Sequence, residues 1–401
     1  LASNSSTHFR ILQGGETDLL VHDMSGFLSN TYGIIKNSVT GDAGDYDGRM
    51  VHYRAANSEM QFAFAMPFDN GFSGSLFVPF NTYQPSLASK DANNPVANWL
   101  SVTNLSGSAQ NGQLIFYAQD GTTLGSRTLS LNSLTRQDIS GHQFGINRVG
   151  LVEWRPSNVT AKFQLRNIRY YYDNVALNNS FDSAFQLDGI SGSSQNLVLP
   201  LDTRSSSSII EVANIEEQQI SYDLTIYSAQ GAVLRRISSA LAPHASVHII
   251  ADPILLNSLG SAVIKARNNK KIMATVMQYG RTPSAGIEYL YGIHAMQPLG
   301  SVIKGSYNTF LEQDCRLLLL NPSAFTRTAS ISLTRSDLTT VLEPTSLSIP
   351  ANGITEHNIC QYDAPNNFGV VTVQPDQNNS VASYVIRYGK NNNYRFSTPV
   401  R

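Results

Sequence analysis

Val51-His52-Tyr53, Ile168-Arg169-Tyr170, Met277-Gln278-Tyr279 and Ile386-Arg387-Tyr388 are four versions of one phrase: an apolar residue, a polar residue, a tyrosine. Each lies in a run that reads as a β-strand. The tyrosines recur after 117, 109 and 109 residues. A period of that size is the length of one small β-sandwich, so the phrase marks the closing strand of each unit in a tandem array. The expected fold is all-β, a series of antiparallel sandwiches.

Working outward from the phrase gives the unit boundaries. The second unit spans 69–182, the third 183–297 and the fourth 298–401. Leu76-Phe77-Val78-Pro79 opens the second unit, Asn196-Leu197-Val198-Leu199-Pro200 the third and Val302-Ile303 the fourth. Asn104, Asn214 and Asn321 each follow an apolar run at matching places, and Gly121 matches Gly231. Pro350 takes the place of Pro243. The fourth unit has lost the middle-hairpin tyrosine and glycine, with Thr334 and Leu338 in their positions. Residues 81–98, with Pro85 and Pro95, read as a long polar loop. Helical periodicity is nearly absent, and 252–259 is expected to make one short helical turn with Asp252 as its cap. Strands alternate or run apolar for four to seven residues between turn signals, which is the sandwich pattern and not βαβ.

Residues 1–68 read as the C-terminal half of a unit. Strands are expected over 7–12 and 18–22, around the turn Gly14-Gly15, and Gly33-Ile34-Ile35-Lys36 matches Ala262-Val263-Ile264-Lys265. A half sandwich leaves apolar faces and a strand edge open. The expectation is that further protein or another polypeptide supplies the missing strands, so a protein partner or self-assembly completes this half-module.

Composition narrows the function classes. Charged residues make up 14% of the 401 and net charge is −1, against roughly 25% charged in ordinary soluble domains. With no basic stripe, nucleic acid is not an expected partner. No run of 18 apolar residues exists, so no transmembrane segment is expected. Cys315 and Cys360, 45 residues apart in the last unit, form either a disulfide or two buried thiols.

Few residues carry a chemical signal. Asp42, Asp45 and Asp47, in Asp42-Ala43-Gly44-Asp45-Tyr46-Asp47-Gly48, put three hard oxygen ligands on one turn. That loop is a candidate calcium site, against a plain solvated turn, and calcium is the only cofactor suggested. It falls at a hairpin tip, where Asn268-Asn269-Lys270 stands in the third unit. Tyr170-Tyr171-Tyr172 with Trp154 offers either an aromatic sugar-stacking surface or, with Tyr170 in the core, ordinary packing at an interface between units. His244 and His248, on one face of a strand, would stand too far apart for a metal pair. No Gly-x-Ser-x-Gly elbow, His-Glu-x-x-His, phosphate loop or Cys-x-x-Cys is present, so no catalytic residues are assigned.

Residues 209–214, 224–231, Leu241-Ala242-Pro243, 260–265 and 272–279, with their counterparts, resemble the tandem immunoglobulin-like modules of bacterial cell-surface and secreted proteins, without the Cys…Trp…Cys core of antibody domains. The resemblance implies an extracellular location and a role as stalk, spacer, adhesive tip or subunit of a surface layer or filament. The expected function is therefore a non-enzymatic structural protein of a cell-surface assembly. The alternatives are an adhesin that binds glycan and an accessory region of a secreted enzyme. Short connections between units predict a stiff rod or arc.

Overall fold

The computed structural model describes residues 7–12, 14–21, 33–41, 46–56, 59–82, 96–172, 181–281, 287–389 and 394–400. The first unit contributes a hairpin, β1 (Arg49–Ala56) and β2 (Glu59–Pro67). The second contributes β3 (Leu76–Asn81), β4 (Val96–Asn104), β5 (Gln110–Ala118), β6 (Thr123–Leu131), β7 (Arg136–Ser140), β8 (Val149–Pro156), β9 (Phe163–Tyr172) and β10 (Phe181–Asp188). The third has β11 (Leu197–Asp202), β12 (Ser206–Asn214), β13 (Ile220–Ser228), β14 (Val233–Leu241), β15 (Ser246–Ile250), β16 (Leu259–Ala266), β17 (Ile272–Arg281) and β18 (Ile287–His294). The fourth has β19 (Ile303–Asn308), β20 (Asp314–Leu320), β21 (Arg327–Arg335), β22 (Thr340–Ile349), β23 (Ile354–Asn358), β24 (Phe368–Pro375), β25 (Ala382–Tyr388) and β26 (Arg395–Val400).

Each complete unit folds its eight strands into two four-stranded antiparallel sheets in one order, and because β10 pairs with β9 the second unit's sheet runs on past residue 182 to Asp188. In the third these are β11-β16-β13-β14 and β15-β12-β17-β18, and the other two units repeat the pattern. Alternation explains the layering: Ile272, Ala274 and Val276 of β17 point into the third core, and Met273 and Met277 point out of it. The matched asparagines hold a corner in every unit. Asn214 Nδ2 points at the carbonyls of Gln218, Leu241 and Ala242, and its Oδ1 accepts from the Glu216 amide. Asn104 and Asn321 make the same bonds at their places. This geometry corrects one alignment: Pro350 carries the carbonyl equivalent to that of Ala242, one residue before Pro243.

The recurring phrase lies in the next-to-last strand of each complete unit, β9, β17 or β25, and not in the closing strand expected, and it faces the opposite way from the one expected. Its middle residue points into the sandwich, and its tyrosine points out. Arg169 is buried against Phe185, its cross-strand partner, and Arg387 against Phe396 in the same way. Gln278 is buried and accepts from Ser206 and Ser208. His52, in the hairpin, stacks on Phe64 and stays exposed. Tyr171, not Tyr170, belongs to the second core, whereas Tyr170 meets Phe64 of the hairpin edge-on at 6.5 Å. The reason is the two-residue period: once Arg169 is inside, Tyr171 is inside with it and Tyr170 is not.

The outward tyrosines mark where units meet. Met277, Leu290 and Tyr279 of the third unit pack on the second core, and Tyr384, Ile386 and Tyr388 of the fourth pack on the third. The hairpin residues Phe62, Phe64 and Met66 pack with Ile168 and Ala184 of the second unit and also with Tyr394 and Phe396 of the fourth. The last strands of the four units are thus neighbours in turn: β2 beside β10, β10 beside β18, β18 beside β26, and β26 beside β2. The chain closes into a ring, which replaces the expected rod or arc. Rods need units that meet only end to end, whereas here an apolar outer face on each unit demands lateral cover.

Two local expectations differ as well. Residues 7–12, 18–21 and 33–36 carry no strand, although the turn at Leu12–Gly15 forms, with the Gly15 amide donating to the Leu12 carbonyl. Residue 22 and most of the loop 81–98 lie outside the described residues. Residues 252–258 form turns without a helix and Leu259 already begins β16, while the Asp252 carboxylate is taken by Ser207 and by the Ser208 amide.

Candidate functional site: the joints and a polar cleft

A turn-on-turn contact recurs at the joints. The Gly121 turn between β5 and β6 sits on the turn before β15, and the Ser246 amide donates to the Gln119 carbonyl at 2.9 Å. The Gly231 turn between β13 and β14 sits likewise on the turn before β23, with Ile354 donating to Ala229 at 3.0 Å. Both glycines have φ near +90° (90° and 82°), and a Cβ would stand 2.1 Å from the Pro243 carbonyl oxygen or 1.8 Å from that of Ala351. The fourth unit, lacking this glycine, puts Leu338 at φ 72° and brings the Ser336 carbonyl onto Gly15 of the first segment. The receiving turns share one left-handed residue each: Gly14, His244 and Asn352.

Two joints are also wired by charge. Between the second and third units, buried Glu153 accepts from Ser75, Tyr117 and Arg155, and Arg155 reaches on to Glu217. His244 lies on the Tyr117 ring at 4.2 Å and bonds Glu217. Between the third and fourth, Arg204 grips Asp202 through Nε and Nη2 and then reaches Glu356 across the joint at 2.6 Å. Arg316 takes the other Glu356 oxygen at 2.7 Å. Burial would raise the Glu356 pKa, but the hydrogen bonds from Arg204 and Arg316 bring it below the usual carboxylate value.

Above this network opens a cleft of about 340 Å³ between the third and fourth units. The turn from β11 to β12 supplies Arg204 and Ser205. The turn from β19 to β20 supplies Glu312, which with Leu311 holds a left-handed conformation (φ 54° and 57°) that non-glycine residues seldom adopt. Asp314, Arg316, Tyr388 and Arg395 line the rest. With Tyr289 of β18, the last three form a run of guanidinium–ring contacts: Arg395 lies 4.1 Å from the Tyr289 centroid and 4.5 Å from that of Tyr388, and Arg316 lies 5.4 Å from the Tyr388 centroid. Arg395 and Tyr388 meet because they are cross-strand partners on the outer face of their sheet. Burial pushes the Tyr388 and Tyr289 hydroxyls up, so both stay neutral donors.

The residues singled out in the sequence fall elsewhere. Asp42 and Asp45 lie outside the described residues. Asp47 is exposed just before β1, and its carboxylate accepts from the Gly48 amide at 2.9 Å. Among the described residues no three metal-ligating side chains gather. Cys315 and Cys360 are joined in a disulfide with Cα atoms 5.2 Å apart, tying β20 to the turn after β23. His244 occupies a turn and not a strand, with its ring in the joint. Sequence reasoning did not find the cleft. Its arginines are scattered singly, and the one local signal is that Tyr388 closes the last copy of the phrase.

No protein-family model and no curated protein sequence matches the chain. One solved structure that is similar in part is a β-glucuronidase from glycoside hydrolase family 2, at 12% identity and a TM-score of 0.14. The match covers 75% of this chain and 30% of that one, and a likeness so slight carries no functional argument. What stands is the all-β architecture of four-stranded antiparallel sheets. No helix among the described residues is long and apolar enough to cross a membrane.

Proposed function

We propose that this chain is a non-enzymatic structural subunit of an extracellular, cell-surface assembly, with sandwiches of immunoglobulin-like kind. One observation carries the proposal. In the complete units β9, β17 and β25 each pair on both sides, but among the described residues β1 pairs only with β2. The edge of β1 where the other units seat β4, β12 or β20 is therefore an acceptor for a strand from another polypeptide. The disulfide suits an oxidising compartment. The closed ring supports a rigid building block, since each outer face is covered by the next unit. In the cleft, both oxygens of Asp202 are engaged by Arg204, which suits a fixed acceptor better than a proton carrier.

Light scattering behind a sizing column tests this directly. The expected result is a defined multiple of 43.8 kDa, or growth into longer particles with concentration. A mass of one chain at every concentration, with β1 amides already protected from hydrogen exchange, would overturn it.

A further inference from the structure

Among the described residues three arginines are buried, Arg169, Arg387 and Arg395, and Arg395 is the one that lines the cleft. It is only 7% exposed, yet among the described residues it takes part in no ion pair, whereas Arg204 and Arg316 beside it each hold carboxylates. Its Nη2 donates to Ser205 Oγ at 3.1 Å, and its Nε has no hydrogen-bond partner. A guanidinium removed from water without a counter-ion is costly, and two tyrosine faces offset only part of that cost. These ring contacts nevertheless fix the group in place at the wall of the cleft.

We propose that the cleft binds a monosaccharide bearing one carboxylate, with the carboxylate on Arg395. The charges select this class. One anionic group supplies the counter-ion that Arg395 lacks. A ligand with several negative charges is opposed by Asp202, Glu312 and Asp314, which face the same space. Those carboxylates are acceptors, suited to the hydroxyl donors of a sugar. Stacking on an aromatic face plays no part, because the Tyr388 ring is already in contact with both Arg395 and Arg316. A volume of about 340 Å³ lies at the small end for ligand sites and suits a single sugar. The proposal stands whether or not the chain assembles with others.

The test is titration calorimetry of the full chain with N-acetylneuraminate as the acidic sugar. N-acetylglucosamine serves as the neutral sugar and N-acetylglycine as the carboxylate without hydroxyls. The expected result is saturable one-site binding of the acidic sugar, about tenfold or more tighter than either comparator. Arg395→Gln is expected to weaken it by about tenfold or more. Because Arg395 is packed against two rings, Glu312→Gln on the exposed rim provides the second variant. It is expected to weaken binding severalfold, with a cooperative thermal transition retained. No saturable heat at about 10 mM acidic sugar would overturn the proposal. So would equal affinity for either comparator, or binding indifferent to both substitutions.

Discussion

Single residues in this chain do their work through position in the repeat. Asn214 shows it best, because a fully buried amide satisfies three carbonyls and one amide at a strand end. Removing such a group strands several buried partners at once. Asn214→Ala is therefore expected to destabilise the third unit by about 2–4 kcal/mol, read as a shift of the denaturant midpoint. Asn214→Asp tests the direction of the bonds. It keeps the acceptor and loses the donors, so it should cost about as much as alanine. The asparagines were legible in the sequence because a corner of this kind is local, its acceptors set by the turns on either side. The inward turn of Arg169 and Arg387 was not legible, because an arginine beside a tyrosine gives no local reason to choose the core.

At the scale of elements, the turns carry the joints. The Gly231 turn needs both a left-handed backbone and the absence of a side chain, since the Ala351 carbonyl lies where a Cβ would stand. Gly231→Ala is expected to lower the thermal midpoint and to raise hydrogen exchange at the Ile354 amide, whose acceptor is Ala229. The loss should be about 2 kcal/mol or more, above the roughly 1 kcal/mol of backbone strain alone. Within the fourth unit the disulfide closes 45 residues of chain around β21 and β22. Cys315→Ser with Cys360→Ser is expected to destabilise by roughly 3–4 kcal/mol in chemical denaturation, with reduced wild-type protein matching the double variant. The sequence placed both cysteines in that unit but left bridge and free thiols equal, because pairing depends on how β20 and the turn after β23 approach.

For the whole molecule, closing the ring brings the first segment onto the fourth unit. Glu16 and Arg49 pair there at 3.0 Å, and the Glu16 carboxylate is one of the groups acting on buried Arg387. Burial raises the Glu16 pKa to about 7, against the opposing pull of Arg49 and Arg387. Burial, with Arg49 nearby, brings the Arg387 guanidinium down to about 10, so it remains charged near neutrality. An acid whose folded value is raised binds its proton more tightly folded than unfolded. Its contribution to stability is therefore greatest below the ordinary carboxylate range, falls as pH rises toward 7, and levels off above. Between pH 5 and 8 the wild type should lose up to about 3 kcal/mol relative to Glu16→Gln. Parallel denaturant midpoints for the two proteins across that range would show that Glu16 is not buried at a closed joint.

The all-β pattern, the period of the array and the matched positions of strands and turns are written into the residues themselves, whereas the order of strands in each sheet is a finding of the structure. Alternation, turn signals and the asparagine corner act over a few positions, and a repeat displays them several times. The partial reading of 1–68 also came from this source, although its first strands did not form where expected. Which face of the phrase-bearing strand looks outward, that four last strands meet in a ring, and that Tyr289 covers Arg395 came from packing between units, among residues about 100 positions apart in the chain. Covering an apolar outer face is a demand that any of several neighbours would satisfy, and the choice is made by the shapes of whole units. The same cause hides the cleft. It exists only where two units meet, and its charges acquire their meaning from what stands opposite them.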